Sequence, residues 1–140
     1  MANVSFEGMD DMIRALDAAG KIDEIAPDML NAGANVVKAE IEKSIRSSRY
    51  RISSYSNSVT KSKVNKGKGD PYISITANGT NEKGVRRAQV LFILNYGRHR
   101  GKHGTIQGDY FWTTATKRAA ESAKDAMEAV LAQKLKEEGL

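Results

Sequence analysis

An α+β fold is predicted for this 140-residue chain: a small antiparallel sheet packed against two long helices, with a long basic loop. Three observations predict it. Apolar residues recur at helical spacing from Ile25 to Ile45 and again from Trp112 to Leu135. Pro71 to Ala77 alternates with period two and ends on Asn78-Gly79, a strong turn signal. Ser47 to Gly69 holds seven serines, four lysines and two glycines with no sustained period.

Taken in order, Val4-Ser5-Phe6 alternates and reads as a short strand before Gly8. Asp10 or Asp11 can cap a helix carrying Met12, Ile13 and Leu16 on one stripe and ending at Gly20. A longer helix is expected from about Asp23, with Pro27 tolerated in its first turn. Its apolar positions are Ile25, Met29, Ala32, Val36, then Ala39 or Ile41, and Ile45. Gly33 in its middle either weakens the helix or marks the close approach of another one. Residues 46–70 read as a long flexible basic loop whose base Tyr50, Ile52 and Tyr55 can pin. Val85 to Leu94 fits a returning strand, or a short helix capped by Asn81 and stopped at Gly97; so short an apolar run cannot decide. A short basic loop then leads to the last helix, with Trp112, Ala115, Ala119, Ala123, Met127, Val130, Leu131 and Leu135 on its apolar stripe. Lys117, Arg118, Glu121, Lys124, Asp125 and Glu128 cover its other faces.

Composition excludes several classes. A length of 140 residues suits one domain, 1–140, with a single core. No apolar run approaches the roughly 18 residues that span a membrane, and the acidic start MANVSFEGMDD does not read as a secretion signal. Zero cysteine removes disulfides, thiolate metal sites and a cysteine nucleophile. His99 and His103 sit among Arg98, Arg100 and Lys102, a setting that disfavours a bound cation. Lys66-Gly67-Lys68-Gly69-Asp70 lacks the spacing of a phosphate-binding loop, and no serine stands in a nucleophile elbow. No enzyme, cofactor or metal is expected.

The net charge of +5 conceals a segregation. Residues 1–45 carry a net −5, and residues 46–69 a net +7 from Arg46, Arg49, Arg51, Lys61, Lys63, Lys66 and Lys68. Arg98, Arg100 and Lys102 add three more. These ten cations are the candidate partner-facing or DNA-facing residues. Tyr50 and Tyr55 among them can stack bases, but no recognition-helix or RNA-binding strand motif is present. Asp109-Tyr110-Phe111-Trp112 places three of the chain's nine aromatics at one helix start. With Tyr96 and Gly97, Tyr110, Phe111 and Trp112 are the expected framework that closes the fold.

The segment Arg87-Ala88-Gln89-Val90-Leu91-Phe92-Ile93-Leu94-Asn95-Tyr96-Gly97, followed by Gly108-Asp109-Tyr110-Phe111-Trp112-Thr113-Thr114-Ala115, resembles the gene-product-ten-like tail-component family of long-tailed bacteriophages. The order of a short strand, Gly8, an amphipathic helix and a long second helix is similar to that family too. Asn95 stands where the family carries an acid, and the family's Arg-Pro before the final helix is missing. The resemblance implies a structural virion protein of the neck or tail, a tail-completion or head–tail joining component made in the host cytoplasm. It implies a ring of copies of itself, of six subunits, between connector and tail tube, in contact with other neck and tail proteins. Unspecific contact with DNA in the lumen fits the basic loops, and a basic nucleic-acid-binding module is the alternative.

Overall fold

The computed structural model describes residues 2–5, 11, 14, 17, 20, 22–66, 69–101 and 104–137, without the side chains of 22, 100 and 101. Its elements are β1 (Ala2–Val4), α1 (Ile22–Arg46), a 3-10 helix (Ser53–Ser58), β2 (Val59–Lys61), β3 (Ile73–Ala77), α2 (Arg87–Tyr96), β4 (Gly97–Gly101), β5 (Gly104–Gln107) and α3 (Phe111–Glu137). The α+β class and the two long helices are as the periodicity predicts.

The helices α1 and α3 form the body of the molecule. They run antiparallel, with Lys134 pairing with Asp28 at 3.2 Å at one end and Arg118 with Glu40 at 3.7 Å near the other. Both pairs are partly solvated, so each adds at most a few tenths of a kcal/mol and serves mainly to fix register. The seam between them carries the energy. Ala115, Ala119 and Ala123 recur one turn apart on α3 and are buried, so the backbones approach closely. Met127 and Leu131 continue the stripe, and Trp112, Val130 and Leu135 pack against it from the side.

On α1 the buried stripe is Ile25, Met29, Leu30, Ala34, Val37, Ile41 and Ile45. Val37 and Ala34 therefore replace the expected Val36 and Ala32, which are half-buried, and Ala39 is exposed. Pro27 lies inside the helix, and the carbonyl of Pro27 accepts the Asn31 side-chain amide at 2.9 Å.

Gly33 explains the narrow seam. A Cβ there would lie 2.8 Å from Met127 Sδ and 3.0 Å from Val4 Cγ1. The close approach it was expected to mark is made by α3 on one side and β1 on the other. Gly33→Ala gains about 1 kcal/mol of helix propensity and spends it on shifting Met127, so it is expected to be near neutral. Gly33→Leu must push α1 and α3 apart and is expected to cost about 2 kcal/mol, read as a lower denaturation midpoint.

The sheet order is β1-β3-β2, all antiparallel, with Ala2 opposite Ile75 and Val59 opposite Ala77. Ile73, Ile75 and Ala77 alternate inward onto α1, as the period-two pattern requires. Gly79 turns the chain at φ +75°, but no returning strand follows. Residues 87–96 are helical. Asn81 caps the turn before that helix rather than the helix itself: its Oδ1 accepts the Lys83 and Val85 N–H groups at 2.9 and 3.0 Å.

Two expected loops carry structure of their own. Between residues 46 and 70 lie the 3-10 helix and β2, and Asn65 bridges Tyr72. Ile52 is buried, Tyr50 and Tyr55 are half-buried on the core, and Ser56 and Ser58 bond back to the carbonyls of Ser53 and Tyr55. Serine density here reflects local side-chain-to-backbone bonding that replaces a periodic pattern. The second is the basic stretch after Gly97, which is the β4–β5 hairpin with an irregular register between Arg98 and Gly101. The N-terminal helix expected from Asp10 lies largely outside the described residues, as do Phe6, Met12, Ile13 and Leu16. Asp11, Arg14 and Asp17 are helical, and Gly20 at φ +69° donates to the Asp17 carbonyl at 3.0 Å.

Candidate interaction surface

The ten candidate cations do not form one patch. Arg46 reaches back to Glu42 at 4.0 Å. Arg49 donates to Tyr50 Oη at 3.0 Å and to the Gln107 carbonyl at 3.2 Å, with its guanidinium 5.0 Å from the Tyr50 ring centre. Tyr50 donates to the same Gln107 carbonyl. Arg49 thus ties the end of α1 to the hairpin, and its charge is partly spent on structure. Arg51 is exposed with φ +53°. Lys61 leaves that end of the molecule and donates to Asn31 and Asn35 on α1 at 3.0 and 2.8 Å. Lys63 is exposed near it, and Lys66 lines a cleft with Asp23. Arg98 is half-buried, and its Nε has no hydrogen-bond acceptor. Lys68, Lys102 and His103, with the Arg100 side chain, lie outside the described residues. Cations therefore stand along α1, from Arg46 at its end, past Lys61 beside its middle, to Lys66 near its start.

The framework residues divide as well. Phe111 is buried and Trp112 packs against the core, with its Nε1 buried and lacking an acceptor. Gly97, at φ +86°, sits where a Cβ would meet Ile106 O and Gly108 N at 2.7 Å. Tyr96 and Tyr110, however, are 52% and 50% exposed. They meet edge to face at 6.2 Å, and Phe92, 61% exposed, packs at a 54° tilt against Tyr96 with ring centres 4.8 Å apart. Three aromatics in a row on the surface form an apolar patch of the kind that monomers seldom leave uncovered. A groove of about 460 Å³ beside Phe92 is walled by Thr76, Ala88, Gln89 and Arg86.

The helical assignment of 87–96 produces this patch. Ala88, Leu91 and Asn95 fall on the inward face of α2, which leaves Phe92 and Tyr96, four apart, together on the outward one. An apolar run that leaves strand and helix open hides this division, because in a strand Phe92 and Tyr96 would also share a face with Leu94.

Asn95 is the residue whose role the sequence conceals. It is 2% exposed, and its Oδ1 accepts the N–H groups of Trp112 at 2.9 Å and Thr113 at 3.2 Å. Its Nδ2 donates to Thr113 Oγ1 at 2.9 Å, and its backbone carbonyl accepts Tyr110 N–H at 3.0 Å. The last residue but one of α2 therefore caps the start of α3 from across the hairpin. Asp109 adds the local half, its Oδ1 accepting Phe111 N–H at 3.3 Å and its Oδ2 accepting the Ser48 hydroxyl at 3.0 Å. The Asp109 cap follows from the preference for Asp before a helix; a cap separated by 17 residues leaves no local signal.

Among the described residues, no group of three His, Cys, Asp or Glu side chains is placed to hold a metal ion. No helix there is long and apolar enough to cross a membrane. The surface offers apolar contact and charge, the means of association.

The sequence model of the HK97-gp10-like family, described as "Bacteriophage HK97-gp10, putative tail-component", matches residues 10–97. Comparison with curated proteins and with solved structures returned no match. The matched span covers α1, the whole three-stranded sheet except β1, and α2, ending at the glycine where the hairpin begins.

Proposed function

Since the chain belongs to the HK97-gp10-like family of bacteriophage tail components, we propose that it is a tail-completion or head–tail joining protein of the virion. In this reading it assembles as a ring of its own copies, of six subunits, between connector and tail tube, touching other neck and tail proteins above and below. Its work is mechanical and interfacial, and no reaction is assigned to it. The family match is the observation that carries the reading. The aromatic patch of Phe92, Tyr96 and Tyr110 supports it, because a ring subunit must bury apolar surface against its neighbours. Arg98, Arg100, Lys102 and the cations of 46–69 serve as contact surfaces toward acidic protein faces or toward DNA in the lumen.

A basic module that binds nucleic acid without sequence preference is the competing reading, and the net charge of +5 favours it. The engagement of Arg49 with the hairpin and of Lys61 with Asn31 and Asn35 weighs against it, since cations held by the protein's own groups are less free to track a polyanion. Light scattering of the purified protein with and without duplex DNA separates the two. Defined oligomers that form regardless of DNA are expected. A strict monomer that binds duplex tightly, with an affinity falling steeply in salt, would replace this reading with the other.

A further inference from the structure

The subunit has two unlike ends, and their chemistry matches. At the end where α1 finishes and α3 starts, the exposed rings of Phe92, Tyr96 and Tyr110 stand in a row with Arg86 beside them. At the opposite end, the first turns of α1 and the chain before β3 enclose a cleft of about 190 Å³. Ala26, Pro27, Val64 and Pro71 give that cleft an apolar floor, and Asp23 stands on its rim. The two features sit at opposite ends of a 25-residue helix, about 37 Å long at 1.5 Å per residue, so one molecule cannot bring them together.

We propose that the aromatic patch of one subunit seats in the Ala26–Pro27–Val64–Pro71 cleft of a second copy of this chain. The contact is head to tail, and the inference rests on the ring reading given above. Phe92 is the main anchor, being the most exposed of the three rings and packed at a tilt against Tyr96, which restrains it before it docks. Charge complementarity selects the occupant. The basic rim at Arg86 meets the acidic rim at Asp23, exposed in the first turn of α1. Lys66, on the cleft's other wall, is a like charge to Arg86, and the face of an inserted ring is where an ammonium there is accommodated. A contact between two different faces leaves one of each free, so it propagates and closes into a ring when the rotation per subunit permits.

The absence of cysteine makes the test clean. Gln89→Cys places a thiol beside Phe92, and Gly69→Cys places one on the cleft wall, where a side chain meets open space. With a short bismaleimide, an equimolar mixture of the two single variants is expected to give a crosslinked dimer, and the double variant a ladder. Each single variant alone stays largely monomeric on the gel. Adding Phe92→Glu, or Asp23→Lys, to the double variant is expected to cut the ladder tenfold or more, with unchanged circular dichroism. A mixture that crosslinks no better than the single variants overturns the proposal, as does efficient self-crosslinking of Gln89→Cys, which marks a symmetric contact instead. If light scattering shows oligomers while crosslinking fails, this interface falls and the ring reading stands. A chain that neither associates nor crosslinks removes both.

Discussion

Asn95→Ala is expected to lower the stability of the fold by about 3 kcal/mol, a drop in thermal midpoint on the order of 10 °C for a domain of this size. The reason lies in what the substitution leaves behind. Asn95 is 2% exposed and supplies the acceptor for two N–H groups at the start of α3, those of Trp112 and Thr113. Each becomes a part-buried donor without a partner, at about 1 to 3 kcal/mol apiece before any relaxation. The Thr113 hydroxyl loses its donor at the same time. Asn95→Asp makes the informative counterpart. A carboxylate keeps the acceptor, gains from the positive end of the α3 dipole, and lets the Thr113 hydroxyl turn round to donate. It is expected to stay within about 1 kcal/mol of the parent at neutral pH. The resemblance noted for this segment carries an acid at this position, and the geometry explains how the two residue types can do one job. Chemical denaturation of both variants decides the matter. Equal losses for Ala and Asp would mean that packing, not the trans cap, is what Asn95 contributes.

How much could be read from the residues alone varied with the range over which the physics acts. The stripe of α3 was legible position by position, because a helix buries residues three and four apart whatever it packs against. On α1 the stripe was displaced by one position at Val36 and Val37, since both are apolar and only the partner surface selects between them. β3 was legible from alternation, while β2, three residues long inside a serine-rich stretch, has no period to detect. The hairpin of residues 97–107 leaves no signal in the sequence, because its pairing rests on glycines and cations that carry no apolar alternation. At the surface, the aromatic cluster at Tyr110 to Trp112 announced itself, but its division did not. Phe111 turns inward and Tyr110 outward because Tyr110 adopts φ +54° just before the helix, a backbone state no side-chain pattern reports. The cations were legible as charge and not as a surface, since sequence neighbours such as Arg49 and Lys61 end up serving different elements.

Gly108→Ala is expected to be strongly damaging for a single added methyl, at about 4 kcal/mol. A Cβ at Gly108 would lie 2.4 Å from the Asn95 carbonyl oxygen, 2.5 Å from the Tyr96 carbonyl carbon and 2.7 Å from the Gly97 nitrogen. All three are backbone atoms, so no rotamer change relieves the overlap, in contrast to Gly33, where the flexible end of Met127 can move. The chain must instead open where α2 ends and α3 begins. That movement strains the Asp109 N–H bond to Leu94 and the Tyr110 N–H bond to Asn95, and it withdraws the Asn95 cap from Trp112 and Thr113. Gly84→Ala is the control. Gly84 has φ +76° but open space around it, so alanine there pays only for its backbone conformation, about 1 kcal/mol. A Gly108→Ala protein as stable as Gly84→Ala would show that this crossing is looser than its geometry implies. The same substitution links stability to assembly, because the crossing also sets Tyr110 against Tyr96. A partly opened crossing separates those rings and disperses the patch that Phe92 anchors. Gly108→Ala, assayed below its unfolding midpoint, is therefore expected to lose head-to-tail crosslinking while Gly84→Ala retains it.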